Sequence, residues 1–292
     1  MTTASADTTR PAGAASIEAR DGAAVAAGPP PIETHGLTRT FGPLRAVDAL
    51  DLTVAPSEIF GLLGPNGAGK TTTIKMLITL LAPTSGSAIV AGADITRDSA
   101  EVRRRIGYVP QLVSADGSLT ARENLRLSAK LYHLPSGGRE AAIDGSLRFM
   151  GLADVGDRLV RTYSGGMVRR LELAQAMLHR PAVLFLDEPT VGLDPTARGN
   201  VWERVRRLRD ESGTTILLTT HYMEEADELC DRIGVMDHGR LARVGTPQEL
   251  KDEVGPGATL DDVFTALTGT DLEIEGGFRD IGRTRRTAKR LG

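Results

Sequence analysis

The chain has 292 residues, of which 40% are hydrophobic and 25% charged, and its formal net charge is -3 at pH 7. This size and composition allow one large packed domain or two small ones, and the charge does not favour a nucleic-acid binder. The single cysteine, Cys230, excludes an internal disulfide framework and is typical of a reducing compartment. We expect no membrane span, since no run of about 18 apolar residues occurs, and no secretory signal.

Both ends of the chain differ in composition from the middle. Residues 1–31 are rich in Ala, Thr, Gly and Pro, and we expect a disordered leader there. Residues 276–292 hold five arginines and one lysine against one aspartate. The simplest interpretation of this basic segment is a solvated flexible tail. The more specific interpretation is a contact with acidic lipid headgroups or an acidic partner loop.

Strands and helices alternate between these ends. A helix is predicted over 67–81, and another over 195–213, where Val201, Val205 and Leu208 share one face. Strand, helix and strand in this order indicate a largely parallel sheet with right-handed crossovers. The predicted strands are residues 58–64, 85–92, 104–111, 182–189 and 214–221.

Residues 116–162 interrupt this alternation. They contain no convincing strand and several helical stretches, one of which begins where Thr120 and Glu123 have the spacing of a capping box. We therefore expect a helical insertion into the α/β core.

A hairpin and a helix are predicted further along the chain. The hairpin spans 234–245, with a tight turn at His238 and Gly239. The helix begins at Thr246, with Glu249 completing a second capping box.

A phosphate-binding loop is the clearest functional signal. The stretch "GPNGAGKT", residues 64–71, fits G-x-x-x-x-G-K-[ST] between a predicted strand and a predicted helix. Glycines let the backbone amides face phosphate oxygens, and the helix N-terminus favours an anion. Lys70 is expected to reach the β- and γ-phosphates, the Thr71 hydroxyl to bind Mg²⁺, and Thr72 to support the α-phosphate side. The remaining cradle residues are Gly64, Pro65, Asn66, Gly67, Ala68 and Gly69.

Two carboxylates lie at the end of the strand predicted at 182–189. Asp187 can bind Mg²⁺ directly or through water, and Glu188 is placed to act as the general base for an attacking water. Two adjacent buried carboxylates are costly without a cation, so a metal accounts for both. Together with the lysine loop they predict a P-loop NTPase, and the guanine-binding motif N/T-K-x-D of a GTPase is not found.

An ordered set of further motifs narrows the family. Gln111 ends "IGYVPQ", "YSGGM" occupies 163–167, "GLDP" occupies 192–195, and His221 ends the strand predicted at 214–221. With the lysine loop, this set resembles the ATP-binding subunits of ABC transporters over about 32–250. "TYSGGM", "GTPQEL" and "TLDDVFTALTG" resemble the daunorubicin/doxorubicin-resistance export ATPases within that family.

The resemblance implies the fold and the domain boundaries. The expected fold class is α/β: a P-loop NTPase core of the ABC type with a mostly parallel sheet, an N-terminal antiparallel β region and an inserted helical subdomain at about 112–168. We also expect a C-terminal segment at 251–275, and a regulatory or dimer-stabilising role for residues 245–275.

The resemblance also implies roles for individual residues. Phe41 would stack on adenine, and Gln111 would contact Mg²⁺ or its water and transmit the nucleotide state to the membrane partner. His221 would hydrogen-bond the γ-phosphate and help to align Glu188 with the water. Asp194 would lie at a dimer seam and link two ATP sites.

The serine and glycines of "YSGGM" would complete the site of the opposite subunit. Ser164 caps a helix, while the amides of Gly165 and Gly166 would face the γ-phosphate of the partner across a head-to-tail homodimer. Met167 replaces the commoner glutamine and Tyr163 the commoner leucine, and both replacements also resemble the drug-resistance group.

The expected function is ATP-driven export through a separate integral membrane permease subunit, with the chain at the cytoplasmic face of the membrane and no nucleic-acid partner. Import stays open on physical grounds, because importers use the same cassette. Two further hypotheses are a soluble ABC ATPase that acts on nucleic acid or ribosomes, and a nucleotide-gated module without turnover.

Overall fold

The computed structural model describes residues 29–269, so the basic tail and all but the last three residues of the expected leader lie outside the described residues. The strands are β1 (Ile32–Phe41), β2 (Leu44–Val54), β3 (Ile59–Leu63), β4 (Ser85–Val90), β5 (Ala93–Asp94), β6 (Ile106–Val109), β7 (Val183–Asp187), β8 (Thr215–Thr220), β9 (Arg232–Asp237) and β10 (Arg240–Gly245). The helices are α1 (Lys70–Leu77), α2 (Ser99–Arg105), α3 (Ala121–Leu131), α4 (Arg139–Phe149), α5 (Gly165–Met177), α6 (Pro195–Ser212), α7 (Met223–Leu229), α8 (Pro247–Val254) and α9 (Leu260–Thr268).

A six-stranded sheet in the order β10-β9-β3-β8-β7-β6 forms the centre of the fold. Its neighbouring strands run parallel, except for the antiparallel hairpin of β9 and β10. Every residue of β3, β7 and β8 is buried, as expected of parallel strands covered on both faces. The carboxyl ends of these three strands therefore meet at one edge of the sheet, where ligands bind in open α/β folds.

A second, antiparallel sheet in the order β2-β1-β4-β5 packs against the first. Phe60, Phe185 and Leu217 of the parallel sheet share one buried apolar cluster with Ile32 and Val90 of the antiparallel sheet. The expected combination of a mostly parallel core and an N-terminal antiparallel region is thus confirmed.

The helices between β6 and β7 pack on the other side of the parallel sheet. Leu125 of α3, Ile143 of α4 and Leu171 of α5 belong to one buried cluster with Leu186 of β7. The insertion therefore shares a core with the sheet. Helix α5 crosses the expected boundary of the inserted subdomain at about residue 168.

Most local predictions are confirmed. Both capping boxes are present, at Thr120 and at Thr246, and Gly213 ends α6 with a φ of 65°. The helix predicted over 67–81 is too long, since α1 ends at Leu77 and Thr79 adopts a φ of 66°. Between residues 29 and 269, no helix combines the length and hydrophobicity that a membrane crossing requires.

A buried carboxyl joins three segments beside the carboxyl ends of the strands. Glu225 of α7 is 1% exposed. Its Oε1 accepts hydrogen bonds from the Thr190 hydroxyl at 2.7 Å and from Trp202 Nε1 of α6 at 2.9 Å. Burial raises the pKa of Glu225, and the hydrogen bonds from these neighbours oppose that rise only in part. The folded protein therefore binds the proton of this carboxyl more tightly than the unfolded chain does.

Replacement of Glu225 by glutamine is expected to stabilise the protein increasingly as pH rises from 5 to 8. The folded-state pKa lies above the unfolded-state pKa, so the folded chain holds the proton more tightly and wild-type stability falls through this window. Glutamine does not titrate, and its carbonyl can accept both hydrogen bonds. Urea unfolding across the pH range measures the difference, with Glu224→Gln as the exposed control. A difference that shrinks with rising pH would contradict the assignment.

Candidate active site

The loop between β3 and α1 is threaded closely between neighbouring backbones. A Cβ on Gly64 would lie 2.2 Å from the carbonyl oxygen of Met236, and one on Gly69 would lie 2.4 Å from that of Ala46. Gly69 also has a φ of 105°, and it immediately precedes α1. These contacts explain why glycine is required at both ends of the loop, and they leave the loop wrapped around the N-terminus of α1.

Lys70 lies inside this loop. Its side chain is 4% exposed, and Nζ donates to the carbonyl oxygens of Gly64 at 2.7 Å and Pro65 at 3.0 Å. Nζ also lies 3.8 Å from Oε1 of Glu188. Burial lowers the pKa of Lys70, while the charges of Glu188 and Asp187 act in the opposite direction. The predicted phosphate-binding lysine is thus held beside both predicted carboxylates.

Asp187 is the last residue of β7 and is 1% exposed. Its Oδ1 accepts hydrogen bonds from the hydroxyls of Thr71 at 3.0 Å and Thr219 at 2.7 Å. The hydroxyl of Thr71 and the carboxylate of Asp187 are oxygen ligands of the kind that Mg²⁺ prefers. Two of the three predicted metal ligands, Thr71 and Asp187, therefore lie together, and Thr219 is a partner that the sequence analysis missed.

Glu188 is the centre of the site. It has a φ of 49°, a left-handed conformation that costs a non-glycine residue about 1–2 kcal/mol. Its amide donates to the carbonyl and hydroxyl oxygens of Thr219, each at 3.1 Å. These two hydrogen bonds from the backbone amide keep the carboxylate facing Lys70, Gln111 and His221.

Two further predicted residues contact the Glu188 carboxylate. Nδ1 of His221 lies 3.3 Å from Oε1, and Nε2 of Gln111 donates to Oε2 at 2.8 Å. The contact with His221 is the largest cause that lowers the pKa of Glu188, and the charge of Lys70 and the hydrogen bond from Gln111 add to it. The carboxylate is therefore ionised at neutral pH and able to accept a proton.

Gln111 does not end a strand, contrary to the expectation from the sequence. Strand β6 ends at Val109, and Pro110, which cannot donate to a ladder, precedes Gln111 in the following loop. The structure places the side-chain amide of Gln111 on Glu188, and its role as an Mg²⁺ ligand stays a prediction.

Phe41 ends β1, and its ring is 44% exposed. The guanidinium of Arg39 lies 4.6 Å from the ring centroid, and its Nη1 donates to the carbonyl oxygen of Ala82 at 2.8 Å. The ring is therefore held by a cation–π contact that the sequence analysis did not anticipate.

The "YSGGM" segment lies at the start of α5. The Ser164 hydroxyl accepts the Met167 amide at 3.3 Å, which confirms the predicted cap. A Cβ on Gly165 would lie 3.1 Å from Leu193, and one on Gly166 would lie 2.8 Å from Ala197. The glycines thus allow close packing of α5 on the segment that contains Leu193 and Ala197.

Asp194 and Met167 both have structural roles in this region. The side chain of Asp194 caps α6 by accepting the Ala197 amide at 2.9 Å. Met167 packs its side chain, partly buried, against the apolar cluster that includes Leu171. Ser164 and Gly165 are exposed, and within residues 29–269 no hydrogen bond joins them to Lys70 or Glu188.

Comparisons with known proteins agree with this geometry. Residues 47–191 match the family described as "ABC transporter". The chain is 52% identical over 228 residues to the daunorubicin/doxorubicin resistance ATP-binding protein DrrA of Streptomyces peucetius, covering 77% of this chain and 68% of that protein. It is 44% identical over 221 residues to the Nod factor export ATP-binding protein I of Ralstonia nicotianae, covering 76% and 68%.

A solved structure of an ATP-binding subunit of an ABC transporter also superimposes on the chain. The TM-score is 0.72 at 30% sequence identity, and the match covers 81% of this chain and 98% of the other. The motifs, the fold and the relatives lead to one conclusion: this chain belongs to the ABC transporter family as an ATP-binding subunit that hydrolyses ATP.

Proposed function

We propose that two copies of this chain close head-to-tail around two ATP molecules with Mg²⁺ and power export through a separate integral membrane partner. The observation that carries the proposal is the convergence of Lys70, Gln111 and His221 on the carboxylate of Glu188. We take residues 32–250 as the ATPase domain and 251–275 as its C-terminal segment.

The residues of one chain would bind the phosphates and Mg²⁺ and accept the proton during hydrolysis. The loop amides and Lys70 would hold the β- and γ-phosphates, and Thr71 and Asp187 would hold Mg²⁺, which neutralises phosphate charge. Glu188 would take a proton from water as its oxygen attacks the γ-phosphorus, and the bond to the β-phosphate oxygen would break to release ADP. His221 would orient Glu188 through its Nδ1 contact.

Phe41 and Thr72 would complete nucleotide binding. The guanidinium of Arg39 covers the Phe41 ring from one side, so adenine would stack on the other face. Thr72 follows Thr71 on α1 and is half-buried, and its hydroxyl would support the α-phosphate side.

Glu188→Gln is expected to lower the turnover number for ATP hydrolysis by about 10²-fold or more, since general-base catalysis contributes about 10²–10⁴-fold. Nucleotide affinity should remain, because Lys70 and the loop amides are unchanged. Phosphate release and equilibrium binding of a fluorescent ATP analogue measure the two effects. Glu224→Gln is the matched control on an exposed carboxylate. Unchanged turnover in Glu188→Gln would contradict the assignment of the base.

The start of α5 has the electrostatic character of an anion site for the opposite subunit. Its first turn contains no acidic residue, and neither does that of α1. The first turns of α3, α8 and α9 each contain Glu or Asp. The positive ends of α1 and α5 are thus left uncompensated by their own side chains, which suits a phosphate shared between them across a dimer. Asp194, beside this start, would then lie at the dimer seam.

Ser164→Arg is expected to leave ATP binding by the monomer within about twofold of wild type and to abolish dimer-dependent hydrolysis. The arginine would fill the space of a γ-phosphate from the other subunit, whereas Lys70 and its loop stay intact. Nucleotide titration at low protein concentration and hydrolysis as a function of protein concentration separate the effects. Ser212→Arg, at the exposed C-terminal end of α6, is the control. Loss of monomer binding in Ser164→Arg would overturn the trans assignment.

A cleft beside the inserted helices is the proposed contact for the membrane partner, which would hold the chain at the cytoplasmic face of the membrane. The cleft has a volume of about 780 Å³. Its walls come from α2, the end of α3 and the segment after α5, and include Arg103, Arg104, Leu131, Tyr132 and His179. Leu131 is 69% exposed, so an apolar partner side chain could be accommodated without rearrangement of the core.

Export of a drug or another hydrophobic compound is the transport function that the relatives favour. Both curated relatives are named for resistance or export. Disruption of the gene in its native cell should raise intracellular daunorubicin, and the wild-type gene but not the Glu188→Gln variant should restore the lower level. Equal drug accumulation in all three strains would contradict the proposed drug substrate.

A further inference from the structure

Helix α5 contains a buried ion pair to which the sequence motifs assign no role. Nη1 of Arg169 lies 2.9 Å from Oε2 of Glu172, and the two side chains are 7% and 1% exposed. Burying two charges is costly unless further hydrogen bonds satisfy their remaining donors and acceptors. The partners of this pair therefore indicate what it holds in place.

Both members of the pair also bind the loop that follows β6. The Arg169 guanidinium donates to the carbonyl oxygens of Pro110 at 2.7 Å and Gln111 at 3.1 Å. Oε1 of Glu172 accepts the Ser114 amide and the Ser114 hydroxyl, the latter at 2.9 Å. Residues 110–114 are thus attached to α5 at both ends by charge-assisted hydrogen bonds, which are stronger than neutral ones.

The attached loop contains Gln111, whose side chain contacts Glu188. The helix to which it is attached begins immediately after Ser164. Arg169 lies five residues beyond Ser164, about one and a half helical turns. A regular helix transmits displacement over this distance without bending, so the backbone of Gln111 follows the start of α5.

We infer that Arg169 and Glu172 are positioning residues that fix Gln111 against Glu188 and make it move together with the Ser164 end of α5. This inference rests on the proposed function for what the two ends bind: Gln111 serves the chain's own ATP site, and Ser164 the partner's. The ion pair then couples the two ATP sites, because a displacement of Gln111 or of Ser164 moves the other residue through the rigid first turns of α5.

The decisive experiment is a double-mutant cycle in the full-length chain. Arg169→Lys keeps the charge and can still pair with Glu172, but an ammonium lacks the planar fork that spans two carbonyl oxygens. We expect the turnover number for ATP to fall about tenfold while the affinity for a fluorescent ATP analogue stays within twofold. In a Gln111→Ala background, Arg169→Lys should cause little further loss, because the group it positions is gone.

The double-mutant cycle would give a different result if Arg169→Lys acted only by destabilising the whole protein. Arg169→Lys would then lower turnover by the same factor with and without Gln111, and this additivity would overturn the inference. Arg170→Lys is the matched control: Arg170 donates to the Met150 carbonyl oxygen and not to the loop. Ser114→Ala is the milder second variant, should Arg169→Lys fold poorly. It should lower turnover about two- to threefold, again only when Gln111 is present.

Amide hydrogen exchange in the nucleotide-free chain tests the attachment without relying on hydrolysis. Arg169→Lys should speed exchange in the segment 110–116 at least tenfold, with exchange in β7 unchanged. Unchanged exchange in 110–116 would overturn the inference even if the ATPase assignment stands. A third outcome separates the two proposals. If the wild-type chain releases no phosphate from ATP but Arg169→Lys still speeds exchange in 110–116, the attachment of the loop is supported and the proposed function is contradicted.

Discussion

The burial of two adjacent carboxylates at the end of β7 is the constraint on which the site depends. Asp187 and Glu188 are 1% and 5% exposed, and uncompensated charges at that depth would be unstable. The structure compensates them in two ways. Hydroxyls satisfy Asp187, and a lysine, an amide and an imidazole surround Glu188. These groups come from three separate segments of the chain, residues 70–71, 111 and 219–221.

The parallel sheet makes this compensation possible. Strand β8 lies between β3 and β7, so the phosphate loop, Thr219 and the carboxylates meet at one edge although they are far apart in sequence. The left-handed turn at Glu188 is held by hydrogen bonds to Thr219. The backbone strain is thus offset by the neighbouring strand, which also fixes the direction of the carboxylate.

The sequence predicted those features that depend on local pattern. The buried strands and the capped helices each have a signature within a few residues, and the structure confirms them. The loop between β3 and α1 lies where its motif predicted, and its phosphate-binding role stays a prediction. The predicted end of α1 was wrong. Thr79 adopts a left-handed conformation just after the helix, and no glycine or proline at that position indicates a helix end in the sequence. Arg39, Arg169, Glu172 and Thr219 were missed for another reason: their partners lie far away in sequence or depend on tertiary packing. For Arg169 and Glu172, the sequence offered one indication of a buried ion pair: opposite charges at i and i+3 among apolar positions of α5.

The exposed start of α5 gives the family motif its physical meaning. The Ser164 hydroxyl already accepts the Met167 amide, so what remains for a phosphate is its hydrogen and the first amides of α5. These donors lie on an exposed helix end whose first turn contains no acidic residue, and the positive end of the helix dipole favours an anion there. In the proposed dimer, this anion comes with a second molecule. In the proposed dimer, only the closed state surrounds ATP. The γ-phosphate therefore favours the closed state, because it makes contacts there that are absent in the open state.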